Sequence, residues 1–455
     1  MINLNSFRCL ALLFSLTSSS FAQALNLGDL QGDTRREYRS PQGLSEICVI
    51  SKKWPGGLYS GSDLEKENEL CSYNFYSNVG ICPKYNSTNP GVLILFPNSK
   101  YSKEAIDASD CNVDIMGVKT EAKFKQSVTC SYTPSILSYY HLSRILGGAG
   151  RVPPAAIRTI DMNTHAQLTT KALKKLKSSA EIIALGWRQL AKVHQNPRQY
   201  PLLVDSSLSQ MFGALSDNVK KEEHYTEVSG RGTYEGRYSR FLKQKSFLKV
   251  SSSKSVRQIV GSADFAKVAQ DVTQMKDVAD MVLLDTLLNQ QDRIGNIHYK
   301  FYWYSINPST ARIDRNKSDA KWVKNKLMVP PEETKSMAGR KAALVKEMVL
   351  KDNDCGVIKD NMMRKISALE KVRHFSYQTY RLFMNFERTL GTVEARNYFM
   401  TELLFSDKDY MTLRANAQKA REILRGRCQA KQLLFDLDLE KYVPGARQSQ
   451  TSCNI

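Results

Sequence analysis

Residues 277–304 carry a pattern that predicts a buried helix, a polar loop and a strand, in that order. Apolar side chains first recur at three- and four-residue intervals, with no Gly or Pro among them: Val278, Met281, Val282, Leu284, Leu287 and Leu288. Polar residues dominate 289–296, and the residues of 297–304 then alternate with the period of a strand. Because catalytic groups concentrate on loops that rigid elements hold in place, this loop is the first candidate for a functional site.

Two residues of the loop, Asp292 and Asn296, are of the types that phosphoryl transfer requires. In that chemistry a carboxylate accepts the proton of the acceptor hydroxyl, and oxygen ligands hold the metal ion on the nucleotide. The alternative interpretation is an ordinary helix end followed by an Asx-type turn, which the same residues at the same spacing would also give.

The remaining elements are predicted from the same periodicities. In chain order they are a strand at 91–96, strands within 113–130, a helix at 135–146 N-capped by Thr133, a second helix at 171–194, a helix or strand at 341–350, and helices over 362–434. Residues 205–260 and 305–340 show no regular pattern. A chain of 455 residues with these elements has room for two lobes.

The composition is that of an ordinary globular protein except for its charge. The net charge of +20 and the pI near 9.4 favour polyanionic partners, such as nucleotide phosphates, acidic substrates, anionic membrane surfaces or nucleic acid. The basic residues are spread along the chain, and no nucleic-acid-binding motif of recognisable spacing occurs. We therefore expect no nucleic-acid partner.

The N-terminus predicts export. Arg8 precedes an apolar run, and Ala22-Gln23-Ala24 has the small residues of a cleavage site, so residues 1–24 are predicted to be a signal peptide. No other apolar run is long enough to span a membrane, and we expect a secreted or periplasmic protein without a transmembrane segment. Eight cysteines remain after cleavage, and an even number in an exported chain predicts four disulfides, although sequence does not give their connectivity.

Three lysines, Lys119, Lys123 and Lys125, lie on the strands predicted within 113–130. By default each is a solvated lysine on the face of a strand. A kinase, in contrast, needs one strand lysine that points at the nucleotide phosphates.

Several of these segments occur in an order that resembles the secretory-pathway kinases of the Golgi casein kinase and four-jointed type, in particular an exported bacterial relative. The matching segments are Tyr140 to Leu146 followed by Arg151-Val-Pro-Pro154, the block from Asp277 to Arg293, Phe124-Lys125, and Leu350 to Gly356. The resemblance spans residues 120–400 loosely, and residues 25–110 have no counterpart in it.

The resemblance implies an α+β chain with an atypical two-lobed protein-kinase-like fold, a mainly helical C-terminal lobe and a disulfide-containing N-terminal region. The implied domains are the signal peptide at 1–24, a cysteine-containing region at 25–110, an N-lobe at 111–270 and a C-lobe at 271–455.

The resemblance also implies a role for individual residues. Asp292 would be the catalytic base, Lys125 would hold the phosphates of ATP, and Asp352 would bind the divalent metal, Mn²⁺ or Mg²⁺. Asn296 and Asp354 are further candidate metal ligands. We also expect Cys355, beside the metal residues, to pair with Cys428 or Cys453.

The implied function is transfer of the γ-phosphoryl group of ATP to a hydroxyl of a protein or glycan acceptor, and the positive charge favours an acidic one. Two alternatives stay open: nucleotidyl transfer (AMPylation) with the same residues, and a catalytically inactive kinase-like binding protein. The second alternative arises because Ser135 stands where the family has a helix Glu, so the ion partner of the lysine must come from elsewhere. The acceptor and the oligomeric state are not given by the sequence.

Overall fold

The computed structural model describes residues 24–176, 181–445 and 450–454. The predicted signal peptide lies outside this part of the chain except for its last residue. The described chain is α+β, which confirms the predicted fold class, and its C-terminal part is mainly helical. No helix in the described ranges is long and apolar enough to cross a membrane.

The strands are, in chain order, β1 (Thr34–Arg39), β2 (Ser45–Ile50), β3 (Gly80–Pro83), β4 (Gly91–Phe96), β5 (Lys119–Lys125), β6 (Ala155–Asp161), β7 (Gln210–Asp217), β8 (Glu223–His224), β9 (Ile297–Ile306), β10 (Ile313–Lys317), β11 (Lys321–Val323), β12 (Lys326–Met328) and β13 (Ala342–Leu350).

The helices are α1 (Gly61–Leu70), α2 (Lys103–Ala108), α3 (Val113–Met116), α4 (Thr133–Ile145), α5 (Met162–Lys175), α6 (Glu181–Gln195), α7 (Thr226–Ser229), α8 (Arg237–Leu242), α9 (Lys245–Val250), α10 (Val256–Val260), α11 (Phe265–Leu287), α12 (Pro331–Met337), α13 (Met362–Lys365), α14 (Ala368–Lys371), α15 (Tyr377–Thr389), α16 (Val393–Thr401) and α17 (Asp407–Gln429). Short 3₁₀ segments lie at Leu27–Asp29, Ala149–Arg151, Pro197–Gln199 and Leu439–Tyr442.

Two antiparallel sheets frame the candidate site. The first has seven strands in the order β1-β2-β6-β7-β5-β4-β3, and the second is built around β9, which pairs with β10, β13 and the short β8. Four strands of the first sheet come from residues 25–110, so this sheet runs across the boundary predicted at residue 110. The boundary predicted at 270 lies inside α11, and the division into domains stays a prediction.

Helix α11 delivers the loop that the sequence singled out. Asp264 caps its N-terminus by accepting a hydrogen bond from the backbone of Ala266, and the helix is buried along most of its length. It ends at Leu287, and β9 begins ten residues later at Ile297. The predicted order of buried helix, polar loop and strand is therefore the observed one.

Several local predictions were wrong. The helix expected at 171–194 is two helices, α5 and α6, with residues 177–180 outside the description; α5 begins at Met162 because Asp161 caps it. Tyr132 rather than Thr133 occupies the cap position of α4. The segment 305–340, for which no regular pattern was predicted, contains three strands and a helix. Of the two possibilities left open for 341–350, the strand is the observed one.

Four disulfides join the eight predicted cysteines, which confirms their number: Cys48–Cys71, Cys82–Cys111, Cys130–Cys355 and Cys428–Cys453. The expected pairing of Cys355 with Cys428 or Cys453 was wrong. Cys355 meets Cys130 because the segment after β5 runs alongside the turn after β13, where the backbone N–H of Tyr132 donates to the carbonyl of Asp354 at 2.8 Å. Sequence separation gave no signal for a pairing that spans 225 residues.

Candidate active site

Lys125 is the last residue of β5 and is held between β4 and β7, opposite Gly91 and Ala214. Its ammonium Nζ lies 2.7 Å from Asp354 Oδ2 and 3.4 Å from Asp352 Oδ1. The Lys125 side chain is only 7% exposed, so its charge is compensated by these two carboxylates rather than by water. The close approach of β7 requires glycine at 213, where a Cβ would lie 2.3 Å from the Lys125 carbonyl oxygen.

The two aspartates belong to a turn that follows β13. Asp352 has a left-handed backbone, with φ of 55°, which directs the chain sharply out of the strand. Asn353 fixes the turn: its Nδ2 donates to the Leu350 carbonyl at 2.8 Å, and its own carbonyl accepts from Ser135 Oγ at 2.6 Å. The Cys130–Cys355 disulfide adds a covalent link between this turn and the first sheet.

Four lysines lower the pKa of the Asp352 carboxyl. Burial alone would raise the pKa of the Asp352 carboxyl, but the ammonium groups of Lys125, Lys123, Lys84 and Lys351 hold that pKa far below its ordinary value. In return, burial and the neighbouring lysines lower the pKa of Lys123 to about 8. Lys351 is also paired with Glu222, so four cations meet three carboxylates here, and the remaining positive charge fits a polyanion.

Arg293 joins the Asp292 loop to this turn. Its guanidinium is fully buried and donates from Nε to Asp285 Oδ2 at 3.0 Å and from Nη2 to Asn353 Oδ1 at 2.7 Å. The neighbouring Gln291 N–H donates to the Cys355 carbonyl at 3.0 Å. Because both residues that flank Asp292 are tied to the turn or its edge, the positions of Asp292 and Asp352 are fixed relative to each other.

Asp292 itself lies at the edge of an open cleft. Its carboxylate is 34% exposed, and Arg237 Nη1 lies 2.6 Å from Oδ1. The Nδ2 of Asn296 donates to the Asp292 carbonyl at 2.9 Å and lies 3.3 Å from Oδ2. Arg237 also donates to the Ile294 carbonyl at 3.0 Å, so one arginine holds both the loop backbone and the carboxylate.

The predicted site residues therefore fall into two groups. Lys125, Asp352 and Asp354 converge directly, whereas Asn296 contacts Asp292 and contributes to the loop. The sequence gave no role to Lys84, Lys351, Arg237 or Asn89, whose Nδ2 donates to Asp354 Oδ2 at 3.2 Å, and took Lys123 as solvated by default. Lys123 had a usable signal, because residues two apart on a strand share a face. Arg237 had none, because it comes from the segment 205–260 that lacks a pattern.

Ser135, which replaces the expected glutamate, has a different contact. It bonds to the carbonyl of Asn353, and the partner of Lys125 is Asp354. The close packing of Ser135 on this turn also requires glycine at 356, because a Cβ there would lie 2.5 Å from Ser135 Oγ and 2.8 Å from the Leu288 carbonyl oxygen.

The donor atoms fit a nucleotide-bound metal ion. Within the residues that the structure describes, no group of three or more His, Cys, Asp or Glu gathers as a metal cage. Mg²⁺ at nucleotide sites, however, is held by one or two carboxylates plus phosphate oxygens and water. Asp352 and Asp354 supply that number of carboxylates.

No family model matches the chain, and no curated protein matches it. Among solved structures it is similar to the crystal structure of the Golgi casein kinase, with 15% sequence identity and a TM-score of 0.42, over 83% of this chain and 80% of that chain.

Proposed function

We propose that the protein is an exported, metal-dependent kinase that transfers the γ-phosphoryl group of ATP to a hydroxyl of a protein or glycan acceptor. One observation carries the proposal: Lys125 meets Asp352 and Asp354, residues 227 and 229 positions away in the chain, at a turn that Arg293 joins to the Asp292 loop. A strand lysine, metal carboxylates and a base on an adjacent loop are the parts that phosphoryl transfer uses.

The lysines form the phosphate side of the proposed site. Lys123 and Lys125 lie on the same face of β5. Lys351 follows β13 directly and precedes the turn that carries Asp352 and Asp354 (the metal turn), so a triphosphate would meet cations from both sheets. The β3–β4 loop lies over Lys125, where Asn89 Nδ2 donates to Asp354 Oδ2 at 3.2 Å.

Asp352 is the proposed principal ligand of Mn²⁺ or Mg²⁺, with Asp354 and Asn296 as secondary candidates. The Asp352 carboxylate is 30% exposed, while that of Asp354 is 3% exposed and occupied by Lys125 and Asn89. When bound, the ion would neutralise phosphate charge and align the triphosphate.

Asp292 is the proposed catalytic base. Arg237 holds Oδ1, and Oδ2 is the oxygen that a hydroxyl proton can reach from the cleft. The cleft beside it is lined by Tyr234, Arg237 and Arg240. Two arginines next to the base favour an acceptor that carries negative charge. The four disulfides fit an oxidising compartment, in agreement with the predicted signal peptide.

The experiment uses mature protein with ATP labelled at either the γ- or the α-phosphate, in the presence of Mn²⁺ and an acidic acceptor. We expect transfer of the γ-label only. Asp292→Asn should lower the rate by roughly 10²-fold or more, as loss of a general base does, without a matching loss of nucleotide affinity. Asp110→Asn, at an 84% exposed side chain, is the matched control and should keep full activity.

The other outcomes decide between the alternatives. Transfer of the α-label would establish nucleotidyl transfer, an alternative that no separate structural observation favours. Nucleotide binding without transfer of either label would favour the inactive binding protein. Near-full activity of Asp292→Asn would remove Asp292 from the role of base.

A further inference from the structure

A second cleft adjoins the proposed nucleotide site. It lies between α1 and the segment after α4 on one side and the β9–β10 ribbon on the other, and it shares Val152, Pro153 and 217–219 with the nucleotide site. Eight of its lining residues are Lys or Arg and two are Asp. This second cleft is therefore a place where cations gather without a role in the proposed transfer.

The register of the ribbon places the basic residues on one face. Lys317 lies opposite Tyr302 and Arg315 lies opposite Tyr304, so these four side chains leave the same face of the sheet. Lys300, two residues before Tyr302, shares that face. Lys300 and Lys317 are thus diagonal neighbours, for which the typical separation is about 7–8 Å.

The carboxylate that could neutralise Lys300 is already engaged. Glu347 lies directly opposite Lys300 in the register of β9 and β13. Its fully buried carboxylate is instead bound by Arg151 Nε at 2.7 Å and by Arg315 Nη2 at 2.6 Å, and it also accepts from the hydroxyl of Tyr304. Arg315 also donates from Nε, so four donor atoms occupy the roughly four acceptor sites of the carboxylate and leave none for a lysine.

Six of the eight basic side chains have a carboxylate within 4.0 Å: Lys66, Arg144, Arg151, Lys220, Lys276 and Arg315. Lys300 and Lys317 have none within the described parts of the chain. Burial and the charge of Lys317 lower the pKa of Lys300, and the more distant carboxylates of Glu222 and Asp217 offset this only in part.

We propose that the second cleft is an anion-binding site for a phosphate- or sulfate-bearing group with at least two negative charges, held between Lys300 and Lys317. Arg315, which is 45% exposed, lies beside them. A doubly charged oxyanion would neutralise the charges of Lys300 and Lys317, which Glu347 does not do. A diphosphate is long enough to contact two lysines at the separation of diagonal neighbours. This site does not depend on the proposed kinase activity, since no hydrogen bond or ion pair joins Lys300, Lys317 or Arg315 to Asp292 or Lys125 among the described residues.

The test is calorimetric titration of the full mature protein with inorganic pyrophosphate in the absence of divalent metal. We expect a binding site that Lys300→Gln/Lys317→Gln weakens at least about tenfold and that Lys300→Arg/Lys317→Arg retains. The matched control is Lys335→Gln/Lys341→Gln, two exposed lysines between β12 and β13 that lie outside the cleft, and this variant should retain the binding. Lys123→Gln, which leaves the Lys125–Asp354 pair intact, should also retain it, and this separates the site from the nucleotide site.

Thermal unfolding provides a second measurement that does not require a binding isotherm. Pyrophosphate should raise the Tm of the wild-type protein by way of this site, and the Lys300→Gln/Lys317→Gln variant should fold normally and lose that part of the shift. Repeating the titration with a sulfated disaccharide shows whether the site prefers phosphate or sulfate. Unchanged affinity and stoichiometry for both probes in Lys300→Gln/Lys317→Gln, or no binding of either probe to the wild-type protein, would overturn the proposal.

Discussion

The two adjoining clefts are both rich in lysine but place their carboxylates differently. In the proposed nucleotide site, Asp352 and Asp354 lie at the centre, and Lys125 is bound directly between them. In the second cleft the carboxylates lie behind the cations, where Glu347 is fully buried and engaged by arginines. The first arrangement leaves carboxylate oxygens available to a metal ion, whereas the two aspartates that line the second cleft are each paired with a basic side chain and leave an excess of positive charge.

The difference shows that a count of basic residues does not define a binding site. The net charge of +20 predicts a preference for polyanions but not where they bind. What distinguishes the clefts is which lysines keep a carboxylate partner. Lys125 keeps two and Lys300 has none within the described residues, so substitutions at these two positions should have opposite effects on stability.

The largest expected effect is therefore that of Lys125→Met. It leaves the 3% exposed carboxylate of Asp354 without its closest cation, and breaking one partner of a buried pair costs about 3–5 kcal/mol. Lys300→Met removes an ammonium that burial and Lys317 already disfavour, and it should leave the free energy of unfolding unchanged or slightly higher. Denaturant unfolding with the disulfides intact measures both variants. Equal losses would contradict the comparison.

The next effect separates the two carboxylates of the nucleotide site. Asp352→Asn keeps a residue type that tolerates the left-handed backbone, and it should lower Mn²⁺-dependent binding of an ATP analogue by about tenfold or more, because even outer partners of a metal contribute about 10–100-fold. Asp354→Asn should mainly lower stability, since Asp354 is the closest partner of Lys125.

Titration of both variants with Mn²⁺ and the nucleotide analogue checks this assignment, with the metal-free affinity as the baseline. The assignment fails if Asp354→Asn abolishes the metal-dependent part while Asp352→Asn leaves it intact. Asp354 would then be the principal ligand.

Much of this arrangement could be predicted from local sequence patterns. The buried helix, the polar loop and the strand after it depend on periodicities that a single segment displays, and the turn after β13 depends on residues that adjoin in sequence. The Cys130–Cys355 disulfide and the contact of Ser135 with Asn353 could not be predicted, because both join segments more than 200 residues apart. Arg237 was missed for a further reason: its helix has only six residues, too few to display a period.

A smaller effect concerns pH. The pKa of Lys123 is lowered to about 8, so the unfolded chain binds more protons than the folded one between about pH 8 and 10.5, and this residue makes stability rise with pH in that window. Phosphates favour charged Lys123, so nucleotide binding should take up close to one proton near pH 9 and weaken by up to about tenfold per pH unit above pH 8.

Calorimetry at pH 9 in buffers of different ionisation enthalpy counts the protons taken up. Lys123→Arg keeps its charge at this pH and is the matched variant, in which the uptake should disappear. The same uptake in wild-type protein and Lys123→Arg would assign the proton to another group.

The smallest expected effect is that of Ser135→Ala. It tests whether Ser135, which stands in place of the helix glutamate, positions the turn that carries Asp352 and Asp354. Ser135 Oγ donates to the Asn353 carbonyl at 2.6 Å, and loss of this buried bond should cost about 1 kcal/mol of stability. Ser138→Ala, one turn further along α4, removes a comparable bond to the Ser135 carbonyl at 3.1 Å that does not touch the metal turn. If Ser135 positions the turn, both variants lose similar stability but only Ser135→Ala weakens Mn²⁺-dependent nucleotide binding, by a few-fold. Equal nucleotide affinity in the two variants would mean that the disulfide and Arg293 hold the turn without help from Ser135.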